Sequence, residues 1–458
     1  MHSSFRAKTN FYWLNLKFVN SLSLILIVFR IQPAFLLLLV FIGMAACKKS
    51  KDEEPPSISL TAPRNFSQYQ YGQEIPVEGT IKDDRQLESV SIRMVDENLT
   101  PVLPSKSFSP DGESFTLNTT YSLDDVQMPS GKYYLRVSGT DGENETKEFV
   151  ELSFVAIPKE RTGIMLVTTP TANQVELVRV GNDLAVVPFK TISGDYSGSS
   201  TSSSHQYINV LGRYTGDLTS LSLVDASTRW TVPVISNTQV PYFENLDLNG
   251  ELNYVSRHDG EILGYDAEGG IQFSALVDAF HYPEKVFVHN NLVFAQLQKL
   301  IGSGKFIASY FQTGVEKKRL EINFDIAGFG GLSEDELLLF ANDNGQGRIL
   351  VFPIEGTTLW EPGSVPTGSF RKVIPLNAEE YLVALDGTIY RYNYANNQTF
   401  EALVGTAVIT DFAYDDALQQ LVVATGNQLE IYAYPSGALI GQYSHSQNIE
   451  AVHVLYNR

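Results

Sequence analysis

The feature that most constrains this 458-residue chain is a period in its second half. From residue 163 onward one strand-like segment recurs, ending in an aromatic or aliphatic residue and then a turn: "NQVELVRVGN", "TSLSLVDAST", "GEILGYDAEG", "KFIASYFQTG", "GRILVFPIEG", "TIYRYNYANN" and "NQLEIYAYPSG". The equivalent positions are Val180, Leu223, Tyr265, Tyr310, Phe352, Tyr392 and Tyr432, spaced by 43, 42, 45, 42, 40 and 40 residues. A unit of that length cannot bury its apolar surface alone and must stack on its copies. Units of about 40–45 residues are the signature of four-stranded propeller blades. Seven of them predict an all-β chain with a seven-bladed β-propeller over 163–458.

The last unit parses into four strands, "VITDFAYDD", "LQQLVVAT", "NQLEIYAYP" and "ALIGQYSH", from the channel outward. One spare strand, "IEAVHVLYNR", follows it, while the first unit opens with "GIMLVTT" as its second strand and lacks a first. Residues 449–455 are therefore expected beside 163–169, closing the ring and removing exposed sheet edges. The second unit is the weakest. Its first strand must come from "SGDYSGSSTSSSH" (193–205), which is either a polar insertion or a Ser/Thr strand lining the channel.

Residues 57–156 alternate at a period of two in six or seven short segments, among them "QEIPVEGTIKD", "LESVSIRMVDE" and "GKYYLRVSGTD". In the last of these Tyr133, Leu135 and Val137 point one way and Tyr134, Arg136 and Ser138 the other. Short strands with turns between them over about 100 residues predict a β-sandwich of immunoglobulin-like type. It lacks the cysteine pair and core Trp of antibody domains, and resembles the Ig-like modules of surface lipoproteins of the Bacteroidota. "IPKERTG" then reads as a short linker.

The Gly-His and Trp-Asp signatures of WD repeats are missing. "LVDASTRW" (223–230) and "GYDAEGGIQF" (264–273) resemble the Asp-Ala-x-x-Gly-x-x-x-Trp repeat of quinoprotein-like (YVTN-like) propellers, with Phe273 where Trp is usual. The resemblance covers two units of seven. It implies the fold, and inter-blade packing for the Asp and Trp; it implies no quinone cofactor.

The single cysteine, Cys47, ends an apolar run, "IQPAFLLLLVFIGMAA", and follows Ala45 and Ala46 directly. The run is too short for a comfortable membrane span but suits a signal-peptide core. The junction resembles the lipobox of bacterial lipoproteins, with Met44 in place of the more usual Leu, and implies a signal peptide over 1–46 and lipidation of Cys47. "KKSKDEEPP" resembles the lysine-plus-acidic tether of surface-exported Bacteroidota lipoproteins, so 47–56 is expected to be a solvated leash. An outer-membrane lipid anchor, at the cell surface, follows as the expected location. A second apolar stretch, "SLSLILIVF", precedes Arg30, and translation starting at Val28 would account for it.

Residues 1–46 hold four basic residues and no acid, so their removal takes the net charge from −19 to −23. So acidic a chain repels nucleic acid. No His-Glu-x-x-His or Gly-x-Ser-x-Gly motif is present, and "GSGK" (302–305) has Phe306 where a phosphate loop needs Ser or Thr. Asp83, Asp84, Asp141 and Glu143 are weak calcium candidates at sandwich strand ends. Propellers bind through the rim formed by loops joining second to third strands and outer to next first strands. That rim is expected to present Tyr214, Arg257, His258, Asp259, His281 and Tyr282. Asn342, Asp343, Asp386 and His445 complete it. Mixed aromatic, acidic and His side chains suit a glycan, a peptide or a partner protein. The expected function is a binding or scaffold module without cofactor or catalytic residues. The alternatives are a glycoside hydrolase or lyase using rim carboxylates, and an outer-membrane assembly scaffold.

Overall fold

The computed structural model describes residues 54–235, 239–363, 365–405 and 407–458. The expected signal peptide, Cys47 and most of the tether lie outside the described residues. The described chain is all-β, without a helix, and forms two compact units. One takes Glu74–Ser122 and Lys132–Ser153 with the described residues up to Ser67; the other takes Phe154–Arg458 with Gln68–Gln73 and Leu123–Gly131.

The first unit holds two antiparallel sheets. Ser57–Ala62, Glu74–Lys82 and Ser114–Ser122 form one; Glu145–Val155, Gly131–Thr140, Ser89–Val95 and Lys106–Phe108 are consecutive strands of the other. Alternation drives the burial: Ile75, Val77 and Ile81 turn inward from one sheet, and Tyr133, Leu135 and Val137 from the other. The sheets meet across this layer. Tyr121 accepts a hydrogen bond from the Met94 amide (3.3 Å) and donates one to the Pro104 carbonyl (2.7 Å).

The second unit is a β-propeller with seven antiparallel sheets among the described residues, six of consecutive strands and one completed by the C-terminal strand. Their first strands are Ile449–Tyr456, Gly198–Ser202, Phe243–Asn249, His281–His289, Asp325–Ser333, Phe370–Pro375 and Asp411–Asp415, in sheets one to seven. Each first strand contacts the next, and the seventh contacts the first, so the ring is closed. Closure comes from the C-terminal strand, which lies antiparallel to Arg161–Thr171 with Ile449 opposite Thr168 and Leu455 opposite Gly163. The serine-rich stretch supplies the second sheet's first strand, paired residue by residue from Gly198↔Leu211 to Ser202↔Tyr207. The fifth sheet has three strands, with a single bridge from Val351 to Trp360 beyond them.

The middle strands are apolar without alternation because each sheet is covered on both faces. In Glu336–Asp343, Leu337, Leu339 and Ala341 pack with Phe294 and Ile307 of the fourth sheet, while Leu338 and Phe340 pack with Phe370 and Tyr381 of the sixth. One such apolar cluster fills each of the seven joints. Of the residues that define the sequence period, Val180, Leu223, Tyr265, Tyr310, Phe352 and Tyr392 are buried and Tyr432 is half-buried against the sixth-to-seventh joint.

Near the channel, apolar packing gives way to polar stitching, because each first strand has one edge without a backbone partner. At four of the seven joints a side chain of the preceding sheet bonds to that edge. Asp247 accepts from the Val286 amide (2.8 Å), Gln296 from Ile326 (2.5 Å) and Asp411 from Val452 (2.9 Å). Asn342 uses both ends of its amide on the backbone of Phe370 (2.8 and 2.9 Å). Ser199 and His453 meet at 2.7 Å across the first-to-second joint, where burial and the nearby Lys372 push the imidazole down to about 4 and keep it neutral.

The seam between the seventh and first sheets carries an additional latch. Arg161 donates to Asp415 (3.1 Å) and Gln420 (2.7 Å), Tyr456 donates to Asp415 (3.2 Å), and Lys159 pairs with Asp416 while lying 3.9 Å over the Tyr456 ring. The Arg161 and Asp415 side chains are almost wholly covered, so losing either strands a buried charge. Arg161→Ala should therefore lower unfolding free energy by about 3–5 kcal/mol. Lys159→Ala, at the solvent edge of the same latch, should cost about 1 kcal/mol or less. Urea titration followed by tyrosine and tryptophan fluorescence compares the two.

Candidate functional site

One end of the propeller is organised by backbone bonds between the hairpins joining second to third strands and the segments entering first strands, of the same sheet or the next. His258 bonds to Tyr242, Val277 to Gly260, Leu300 to Phe280, Ile409 to Asp386 and Ile449 to Gly426, all at 2.8–3.1 Å. This is the rim on which the sequence-predicted residues fall.

Asp195 fixes the hairpin of the second sheet. Its carboxylate accepts amide hydrogens from Arg213, Tyr214, Thr215 and Gly216, and the Thr215 hydroxyl as well. Burial alone would raise its pKa, but the bonds from Thr215, Tyr214, Gly216 and Arg213 outweigh that and hold the carboxyl below the ordinary range. The clamp aims Arg213 at Glu244 (2.8 Å), which is otherwise covered and also contacts His258 Nδ1 at 2.5 Å. His258 lies against Tyr282, ring centres 4.5 Å apart, and Arg257 covers Tyr242 at 4.6 Å while pairing with Asp259 and Glu261.

Beside the Arg213–Glu244 pair lies a pocket of about 270 Å³ between the second and fifth sheets, lined by Arg213, Glu244, Asn245, Glu284, Lys285, Gln296 and Asp325. Burial pushes the Glu284 carboxyl up, the Gln296 amide bonded to it pulls down, and Asp325 and Glu244 add to the rise. Asp325 is paired with Lys305. Burial and then Glu284 and Glu244 push the Tyr282 hydroxyl up to about 12, so it is a hydrogen-bond donor at neutral pH. Asn245 and Lys285 also line the central channel, a cavity of about 730 Å³ reached by residues of all seven first strands or the segments entering them. Its walls carry both signs: Lys285, Arg371 and Lys372 face Asp247, Asp411 and Glu450.

Of the ten predicted rim residues, the structure gathers His258 and Tyr282 about this pocket, with Tyr214 beside Arg213 on the clamped hairpin and Arg257 and Asp259 on the adjoining one. His281 contacts Asp278 (2.7 Å) and meets Phe306 edge-on, outside the pocket. The others are engaged elsewhere, Asn342 and Asp343 on the fifth sheet, Asp386 on the sixth and His445 beyond the seventh. Asn342 is consumed by the joint described above, Asp343 pairs with Arg348 (3.0 Å), Asp386 faces Arg371 at 3.7 Å, and His445 turns back on Gln447 (3.1 Å). The calcium candidates lie in turns of the first unit. Asp141 is occupied by the amides of Glu143 and Asn144 in a turn, Asp83 accepts from Arg85, and no group of three or more potential ligand residues converges among the described residues.

Sequence reasoning missed Arg213, Glu244, Glu284, Gln296 and Asp325. They sit in or next to strands, where a charge every second residue reads as a solvated face. A usable signal was present: three consecutive first strands, "FENLDLN", "HYPEKVFVH" and "DIAGFGG", each carry an acid within their first four residues.

No protein-family model matches the chain, and no curated protein matches it. Among solved structures it is similar to a quinoprotein alcohol dehydrogenase-like protein from Bacteroides thetaiotaomicron, at 12% identity and TM-score 0.44 over 89% of this chain and all of that one. The C-terminal WD40 domain of Sif2 is 12% identical, TM-score 0.43, over 65% and 95% of the two chains. Apo AztD from Citrobacter koseri is 10% identical, TM-score 0.43, over 63% and 83%. Nothing about ligand or activity is carried over from them.

Because Asp195 has a lowered pKa in the folded protein, its contribution is fully present above the unfolded carboxylate value, about 3.9, and is lost as pH falls through the lowered value. Asp195→Asn should cost about 1–2 kcal/mol at pH 7, discounted for partial exposure, and should flatten the loss of stability below about pH 4. Urea midpoints measured across the acid range check both.

Proposed function

We propose that this chain is a lipid-anchored binding module of the outer membrane, displayed at the cell surface. In this reading the N-terminal sheets are an Ig-like sandwich, the ring is a seven-bladed propeller, and the rim around the 270 Å³ pocket engages a protein or glycan ligand. The observation that carries the binding reading is that the pocket's carboxylates are already partnered. Glu244 is held by Arg213 and contacted by His258, Asp325 by Lys305 and Glu284 by Gln296. Groups braced this way make a rigid, mixed-charge recognition surface. They are poorly placed to act as free nucleophile or base.

The anchor rests on sequence: an apolar run, Ala45 and Ala46, then Cys47 and an acidic leash. Several acyl chains, each adding about 0.8 kcal/mol per buried methylene, would hold the protein at a membrane permanently. Metabolic labelling with palmitate should mark the wild type, and Cys47→Ser should abolish the label. Labelled C47S protein would remove the anchor from the account.

A glycoside hydrolase or lyase has one specific observation in its favour: Glu284, raised by burial, lies in the field of two further carboxylates, as an acid–base pair requires. The two readings separate cleanly. Detergent-solubilised full-length protein is offered glycan and peptide arrays, and released reducing ends are assayed in parallel. Saturable binding that Glu284→Gln or Arg213→Ala weakens about tenfold or more, without product release, is expected. Reducing ends released by the wild type and not by E284Q would establish glycoside cleavage instead.

A further inference from the structure

We propose that the rim of the third to fifth sheets docks a partner protein through a basic segment carrying apolar anchors. This rests on the reading of the rim as a binding face and names its partner. Two independent features of one surface lead to it.

The first is an apolar shoulder. Leu276 and Phe280, in the passage from the third to the fourth sheet, are 71% and 74% exposed; Ile301, at the tip of the fourth sheet's hairpin, is 91% exposed. The Leu300 amide bonds to the Phe280 carbonyl at 2.9 Å, so the passage and the hairpin form one surface. Leu276 and Ile301 are branched aliphatics without a flat face, so Phe280 alone offers a ring on which a sugar could stack. All three fit hollows between protein side chains, where buried apolar anchors supply most of the affinity.

The second is the layering of the ion pairs around that shoulder. On the hairpins of the third and fourth sheets the cation is covered and the carboxylate stands outward: Lys305 is 21% exposed against 58% for Asp325, and Arg257 17% against 50% for Asp259, whereas Arg213–Glu244 and Arg348–Asp343 on the flanking hairpins have the opposite order. Arg319 beneath Asp278 repeats the covered-cation order. A partner approaching this surface therefore meets carboxylates first. Lysine and arginine on the partner complement them. A second copy of this chain, with a net charge of −19, would set carboxylate against carboxylate, and an anionic membrane would be repelled likewise. Exposed charge pairs add little affinity singly but set the association rate and the orientation, leaving the apolar anchors to hold the complex.

The probe is an array of twelve-residue peptides alternating Leu or Phe with Lys or Arg. Two matched sets replace the cations by Glu or the apolar residues by Ser. All are applied to detergent-solubilised full-length protein beside a glycan array and sedimentation velocity. Basic–apolar peptides should bind about tenfold or more tightly than either matched set. Phe280→Ser with Ile301→Ser should weaken binding about tenfold. Asp259→Asn with Asp325→Asn should slow association and flatten its salt dependence, the urea midpoints of both variants staying near wild type. Equal binding of the Glu peptides, or peptide binding indifferent to both variants, overturns the proposal. Self-association removed by F280S/I301S overturns it in favour of a second copy. Glycan binding lost in E284Q, with no peptide bound, overturns this partner and leaves the binding-face reading standing. Glycan cleavage without stable binding ends both.

Discussion

The second unit depends on one constraint: its sheets are apolar on both faces, so none can have an outside. Leu337 to Ala341 are all fully buried, odd and even residues alike, because one set faces the fourth sheet and the other the sixth. An open stack would leave a terminal sheet with one such face in water, at roughly 25 cal/mol per Å² of apolar surface. A ring has no terminal sheet. The C-terminal strand's position beside Arg161–Thr171 follows from that requirement, and the Arg161–Asp415–Tyr456 latch holds the seam where the two ends of the chain meet.

The same geometry creates the candidate site. Seven first strands converge on a channel, and amides on four of them are capped by Asp247, Gln296, Asn342 and Asp411 from neighbouring sheets. Polar side chains are thus concentrated at the axis for structural reasons. Where three first strands begin with an acid, the concentration spills onto the rim, and Arg213, Lys305 and Gln296 balance it. Function at such a rim is a local variation on what the ring needs anyway, which is why an isolated polar residue there says little until its partners are known.

That also sets how much was legible in the sequence. The all-β propeller was, because the 40–45-residue period carries it: burying Val180, Leu223, Tyr265, Tyr310, Phe352 and Tyr392 in successive joints requires an apolar residue at the same place in each unit. The serine-rich stretch was ambiguous, since Ser199, Ser200 and Ser202 make strand bonds while their hydroxyls pair with His453, Asn253 and Ser204, contacts too distant or too polar to register as a strand pattern. The site was only half legible. His258 and Tyr282 stand out in a turn and at a strand start, whereas Glu284 and Gln296 look like ordinary alternation. Asn342 looked available and is spent on Phe370. Loop position can be read from a sequence; whether a side chain is already engaged depends on residues tens of positions away.

The central claim is that the ring is closed by its last strand, and amide hydrogen exchange tests it most directly. If residues 449–456 complete the first sheet, peptides covering them should exchange as slowly as those covering 163–168, and the two should open together as urea is raised. Fast exchange of 449–456 beside a protected 163–168 would contradict the account.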